Sequence, residues 1–388
     1  MHLLVPTNWD RELISPLSQI EADIHIYGVL PTSMTGSGGS GPDIPYMTTK
    51  QAEEYIKLAH SAGLTFNYLL NAPCMNNMEW QEDTHRKLVQ HLAWLSSTGV
   101  ASVTVAIPYV LELIKCQFPH LKAEVSTIAH VSSVARAKFF ESLGADAIML
   151  DSNINRDFKL LKAIRSAVKC ELGVLTNSLC LYQCPYEYYH NNTLGHASQS
   201  HNPLSGSYMD YCVLHCALSS ISDTSQLIKA RWIRPEDIHI YQEMGLDFFK
   251  IGGRAMPTKW IINAAEAYSS LHYQGNLYDI LSALTAKLRN AEPNLPRTQT
   301  TIVASPPKVC IDNQALDGFI DFFRKEDCLS GCSHCHYCQE IADKVVTFDR
   351  GEADKYISLL KKLLDDLTSS NIFEIREFCA VNNLGTRI

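Results

Sequence analysis

The stretches GADAIML (144–150) and GLDFFKI (245–251) write one phrase twice: a glycine, a small or apolar residue, an aspartate, then an apolar run. A glycine in that place stops a helix in the left-handed conformation, and the run after it reads as a strand buried on both faces. Amphipathic helical patterns precede both, VSSVARAKFFESLG (131–144) and RPEDIHIYQEMG (234–245), the second with Pro235 at a first-turn position. The phrase is the junction from helix into strand of a parallel sheet.

Outward from these junctions the alternation continues. IHIYGV (24–29), LTFNYLL (64–70), SVTVAI (102–107), AEVSTI (123–128) and LGVLTN (172–177) are further short, apolar runs rich in branched residues. Between them lie helical patterns such as TTKQAEEYIKLAHSAG (48–63), capped by Thr48 or Thr49 and stopped by Gly63, and INRDFKLLKAIRSAV (154–168). A closed barrel of such units needs roughly 250 residues. The chain is therefore expected to be α/β, a TIM-like (β/α) barrel over 1–290, followed over 291–388 by a linker, a small cysteine-rich lobe and a terminal helix. The linker is NAEPNLPRTQTTIVASPPK (290–308), and the helix falls within TFDRGEADKYISLLKKLLDDLTSSNIFEIREF (347–378). An open doubly wound sheet would want a phosphate loop. The only glycine-rich stretch, GSGGSG (36–41), opens no helical pattern and reads as a mobile loop over the site.

Composition narrows the class. Of 388 residues 46% are apolar and 19% charged, the balance of a globular protein, and the net charge of −8 argues against a surface given over to nucleic acid. No run of about twenty apolar residues offers a membrane span, and the start MHLLVPTNWDREL has no export-signal pattern, so the expected location is cytoplasmic. Thirteen cysteines in such a chain point to metal rather than to a disulfide framework. Eight of them form two groups. Cys180 and Cys184 in NSLCLYQCPYEYYH pair with Cys212 and Cys216 in YCVLHC. Cys328, Cys332, Cys335 and Cys338 crowd into CLSGCSHCHYC (328–338).

The scattered Cys74, Cys116, Cys170, Cys310 and Cys379 read as small buried apolar residues. Cys180 and Cys184 follow a strand at the barrel's C-terminal mouth, where a CxxxC helical turn would set both sulfurs on one face, and Pro185 matches the cysteine–proline ending of ferredoxin loops. An iron–sulfur cluster is the reading preferred for this group, with zinc or free thiols as alternatives. The single-loop spacing of the C-terminal group suits a second [4Fe–4S] cluster, with zinc as its alternative. His130, after a strand, is a candidate acid or base. Lys250 and Arg254, at the end of another strand, are candidates to grip a carboxylate. Tyr186, Tyr188, Tyr189 and His190 are candidate cleft residues. There is no GxSxG and no HExxH, so a protease reading has no visible nucleophile or zinc motif.

Several segments, in chain order, resemble the collagenase-like peptidases, the unassigned peptidase family thirty-two. They are PTNWD before a strand ending in Tyr27–Gly28, AHVSSVARAKFFESLGADAIMLDSNINRDFKLLKAI, LTNSLCLYQCPYEYYH, and RWIRPEDIHIYQEMGLDFFKIGGR. The last is similar to the family's hallmark, and the resemblance spans about 1–275. It implies a TIM-like barrel that binds a [4Fe–4S] cluster through four cysteines. It also implies oxygen-independent hydroxylation of ubiquinone precursors or of tRNA and rRNA bases, with a small anionic co-substrate such as prephenate as oxygen donor. Peptidase activity, on a peptide substrate, is the alternative, and so is a non-catalytic chain paired in a hetero-oligomer with a homologue. The chain departs from the family where Lys-Ile-Glu-Gly-Arg becomes Lys250-Ile251-Gly252-Gly253-Arg254, in its cysteine spacing, and in the added C-terminal cysteine loop.

Overall fold

The computed structural model describes residues 1–39, 45–202, 211–282, 306–326, 328, 332 and 334–369, together with the backbone of 287–289 and 300–302. Eight parallel strands close into a barrel in chain order: β1 (His2–Pro6), β2 (Asp23–Gly28), β3 (Thr65–Leu70), β4 (Ser102–Val105), β5 (Lys122–Val125), β6 (Ala147–Met149), β7 (Glu171–Leu175) and β8 (Phe248–Lys250). The seam is β8 against β1, with Phe248 opposite His2 and Lys250 opposite Leu4. The expected TIM-like barrel is thus present. Seven strands fall where the apolar runs place them, and the eighth, β1, was not among those runs.

The helix-to-strand junctions behave as their glycines require. Gly144 and Gly245 have φ of 93° and 81°, a conformation costly for any residue with a Cβ. Thr48 caps helix Thr49–Ser61 with a full capping box to Gln51. The barrel wall carries one buried polar chain: Thr104 Oγ1 donates to Asn67 Oδ1 (2.7 Å), Asn67 Nδ2 to Ser102 Oγ (2.7 Å), and Ser102 Oγ to Glu124 Oε1 (2.6 Å). Gly173 leaves room for the Phe248 ring, which a Cβ there would overlap.

Between β7 and β8 the chain inserts helices Glu187–Ala197, Tyr211–Ser222 and Ser225–Lys229. The C-terminal region packs on this insertion. Helix Arg350–Thr368 lies along Tyr211–Ser222, and helix Tyr337–Val345 along Ser225–Lys229. Buried Arg234 fastens the two regions, donating from Nε to Asn313 Oδ1 (3.0 Å), from Nη1 to the Leu316 carbonyl (2.8 Å) and from Nη2 to Asp317 Oδ1 (2.7 Å). Most of the expected linker, and the chain beyond Ser369, lie outside the described residues. Among the described residues no helix is long and apolar enough to cross a membrane.

Candidate functional site

The first thiol group assembles on the loop that leaves β7. Asn177 anchors that loop: its Nδ2 donates to the carbonyls of Gly252 (3.2 Å) and Ile280 (3.1 Å), and its Oδ1 accepts from the Gly252 N–H (2.6 Å). Cys180 and Cys184 follow in a turn, not in the helical turn expected of CxxxC. Pro185 disfavours helical backbone at Cys184, Gln183 takes a φ of 50°, and the helix begins only at Glu187. Cys212 and Cys216 do sit one turn apart on helix Tyr211–Ser222.

The charges of Cys180 and Cys184 both bear on Cys216, and those of Cys184 and Cys212 both bear on Tyr186. Burial pushes the Cys216 thiol up to about 12 and the Cys180 thiol up to about 11, although Cys180 is exposed as a whole residue. The backbone at Tyr186 and Glu187 eases the Cys184 thiol down against that burial, and the backbone at Leu181 does the same for Cys216. Amide donors aimed at sulfur stabilise thiolates, as iron–sulfur sites require. A single tetrahedral zinc with 2.3 Å bonds would hold its sulfurs about 3.8 Å apart. Among the described residues no three cysteine sulfurs lie within 4.8 Å of one another. Four cysteines are the ligand number that either a tetrahedral zinc or a [4Fe–4S] cluster takes.

Beside the thiols lies an imidazole between two carboxylates. His130, left-handed at φ 51°, ends the turn after β5. Its Nδ1 is 3.2 Å from Asp151 Oδ2 and 3.8 Å from Glu187 Oε1. Asn153 ties the carboxylates together, its Nδ2 donating to Asp151 Oδ1 (3.0 Å) and to Glu187 Oε2 (3.1 Å). The three ligand atoms lie within 4.8 Å of one another. Burial raises Asp151, but hydrogen bonds from His130 and Asn153 outweigh it and hold it below the usual range. Burial and the Asp151 charge push Glu187 the other way. Two carboxylates split in this manner suit one ionised and one proton-carrying role. His130 Nε2 is buried without a hydrogen-bond partner, so no nucleophile is preassembled on it. Of the candidate tyrosines, Tyr188 covers the His130 ring at 4.4 Å between centroids.

Lys250 and Arg254 line the same mouth. Lys250 Nζ lies 4.0 Å from the centre of the Tyr27 ring. Burial pushes it down to about 8, against the pull of Glu124 and with a push from Arg254. Burial likewise raises Glu124 and lowers Arg254. Arg254 Nη1 is buried without a partner, and among the described residues neither cation makes an ion pair. Gly39 lies directly on the Arg254 guanidinium. The described part of the glycine loop is held rather than loose: Ser37 N–H donates to Ser198 Oγ (2.8 Å), Gly38 N–H to Asn71 Oδ1 (3.2 Å), and Thr35 and Ser37 are buried. Residues 40–44 lie outside the described residues.

The C-terminal thiols gather at two buried arginines. Cys328 and Cys332 act on Cys338, whose thiol burial raises while Arg156 and Arg231 draw it down. Cys335 is exposed. The Arg156 guanidinium lies 4.6 Å from the Trp232 ring and 4.7 Å from that of Phe319, and that of Arg231 is 3.6 Å from the Tyr182 ring. A cavity of about 200 Å³ reaches from Asp151, Asn153 and Tyr182 to Arg156, Arg231 and Cys328. Both thiol groups therefore border the mouth side of the barrel. Sequence reasoning missed Asp151, Glu187, Arg156, Arg231 and Glu124. The expectation for the scattered cysteines is also corrected: Cys116 is exposed, and Cys74, Cys170 and Cys310 are only partly covered. Cys379 lies outside the described residues.

The model of peptidase family U32 matches residues 46–276. An uncharacterized protease of Methanocaldococcus jannaschii is 32% identical over 295 residues, covering 75% of this chain and 80% of that one. A solved U32 peptidase is 22% identical with a TM-score of 0.47, over 65% of this chain and 92% of that one. A native KDPGal structure is 7% identical with a TM-score of 0.38, over 70% and 92%.

Proposed function

Because the chain belongs to peptidase family U32, we propose that it is an iron–sulfur barrel enzyme. Its reaction is an oxygen-independent hydroxylation, or a related redox modification, of a small molecule, an RNA base or a peptide. The observation that supports this reading is the first thiol group: Cys180, Cys184, Cys212 and Cys216 around Tyr186, at the mouth where Lys250 and Arg254 make no ion pair among the described residues. Cys180, Cys184, Cys212 and Cys216 would hold a [4Fe–4S] cluster, which supplies one-electron chemistry when bound. Arg254 presents a two-pronged donor to a carboxylate of a small anionic co-substrate, and Lys250 adds a second charge. Glu187, held toward its protonated form, gives a proton at Oε1, and His130, oriented by Asp151, receives one at Nε2.

Anaerobic purification with iron and sulfide analysis tests the reading. About four irons per chain are expected at this group, lost in Cys180→Ala and in Cys212→Ala. Iron content unchanged in both variants sinks the assignment. A hydrolytic reading draws on one observation, the His130–Asp151–Glu187 cluster, whose donor set also suits a divalent ion that activates water. Chelator-sensitive peptide cleavage that survives Cys180→Ala and fails in Asp151→Asn would establish it instead.

A further inference from the structure

We propose that the face of the barrel opposite the mouth carries a second kind of metal site, built by His2, Asp23 and His25, for a divalent first-row transition ion of the zinc class. His2 opens β1, and Asp23 and His25 open β2. The parallel register sets His2 opposite Asp23. His25 points to the same side as Asp23, two residues on, because strand side chains alternate. One ligand atom from each residue lies within 4.8 Å of the other two, and His25 Nε2 is 3.3 Å from Asp23 Oδ1.

Two features favour an ion over a chance grouping. The first is the packing of the two imidazoles, 3.8 Å apart between ring centres, with the His2 ring 5.7 Å from that of Phe248. The second is His2 Nε2, which is buried and has no hydrogen-bond partner. A buried nitrogen lone pair without a donor is costly, and coordination satisfies it. His2 faces the His25 imidazole. The other charges facing it are the Asp23 carboxylate, which favours a cation, and the N-terminal amine and Lys122, which oppose one.

Two imidazoles and one carboxylate select zinc, cobalt or nickel over magnesium or calcium, which want oxygen ligands. Three protein ligands leave a position open to water. The ion would clip the first strand to the second beside the β8–β1 seam. It is remote from the mouth chemistry, so the site stands apart from the function proposed above.

The test uses the full chain with its own N-terminus, loaded with Co²⁺ and compared with His25→Gln and Asp23→Asn. Metal content is read by mass spectrometry, and the cobalt–thiolate charge-transfer band reports the cysteine groups separately. Wild type should hold one equivalent more than either variant, with affinity lowered about tenfold or more on losing one ligand and the thiolate band unchanged. Co²⁺ should raise the melting temperature of wild type more than that of the variants. Should His25→Gln fail to fold, Asp23→Asn serves alone, since its side chain is 66% exposed. Equal cobalt content and equal melting shifts in wild type and Asp23→Asn overturn the proposal.

Discussion

Lys250 and Arg254 show how one side chain sets a pH response. Lys250 is buried and Arg254 half-buried with its Nη1 unpartnered, and neither makes an ion pair among the described residues, so an incoming carboxylate would meet two cations free of direct counter-ions there. Arg254→Lys removes the planar fork and should weaken anion binding about tenfold, checked by calorimetry with a dicarboxylate probe. Lys250, lowered to about 8, is charged below that pH and neutral above it. Anion affinity should therefore fall as pH rises through about 8. In Lys250→Met the affinity should be lower and flat across that range; a wild-type profile equally flat from pH 6.5 to 9.5 would count against the role. These two residues were legible because a strand end in a (β/α) barrel faces the mouth by construction. Asp151 and Glu187 were not, because their meeting with His130 depends on three separate loops converging. Arg156 and Arg231 read as ordinary surface charges until the rings of Trp232, Phe319 and Tyr182 are seen to enclose them.

Elements follow from short-range chemistry where punctuation is strong. Gly144 and Gly245 each stop a helix and each lead into a strand, which is why the starts of β6 and β8 could be placed within one residue. β1 escaped because HLLVP is five residues long and has no preceding helix to frame it; only pairing with β2 and β8 makes it a strand. The Cys180–Cys184 turn escaped because CxxxC spacing carries no statement about Pro185, which vetoes the helix. The β7–β8 pairing offers a direct test of barrel packing. A Cβ at residue 173 would overlap the Phe248 ring, which is buried at the seam and cannot swing away. Gly173→Ala should cost about 1–3 kcal/mol in denaturant unfolding. Adding Phe248→Leu should recover part of that loss; additive losses in the double variant would show that the overlap is not the cause.

Over the whole molecule the decisive relation is between the barrel and the chain that follows it. The C-terminal helices do not form a detached lobe among the described residues: Phe319, Phe323, Val345 and Leu360 belong to the same apolar core as the barrel strands. That packing sets Cys328, Cys332 and Cys338 beside Arg156 and Arg231, and sets Cys328 on the cavity that Tyr182 and Gln183, from the Cys180–Cys184 turn, also line. Two buried cations next to a group of thiolates offset the net negative charge that such ligands bring to any metal they hold. Charge alone does not distinguish iron from zinc, because a zinc ion and an oxidised cubane, each held by a full set of four thiolates, carry the same net charge. Placement does bear on role, since a redox centre on that cavity would stand next to the mouth chemistry, whereas a structural ion has no need to. We therefore expect about eight irons per chain after anaerobic reconstitution, falling to about four in Cys332→Ala/Cys335→Ala. The signal of the barrel cluster should persist in that variant while turnover with an external reductant drops. One zinc with four irons in wild type, and loss of the zinc alone in the double variant, would establish a structural ion instead and leave the arginines as its counter-charges.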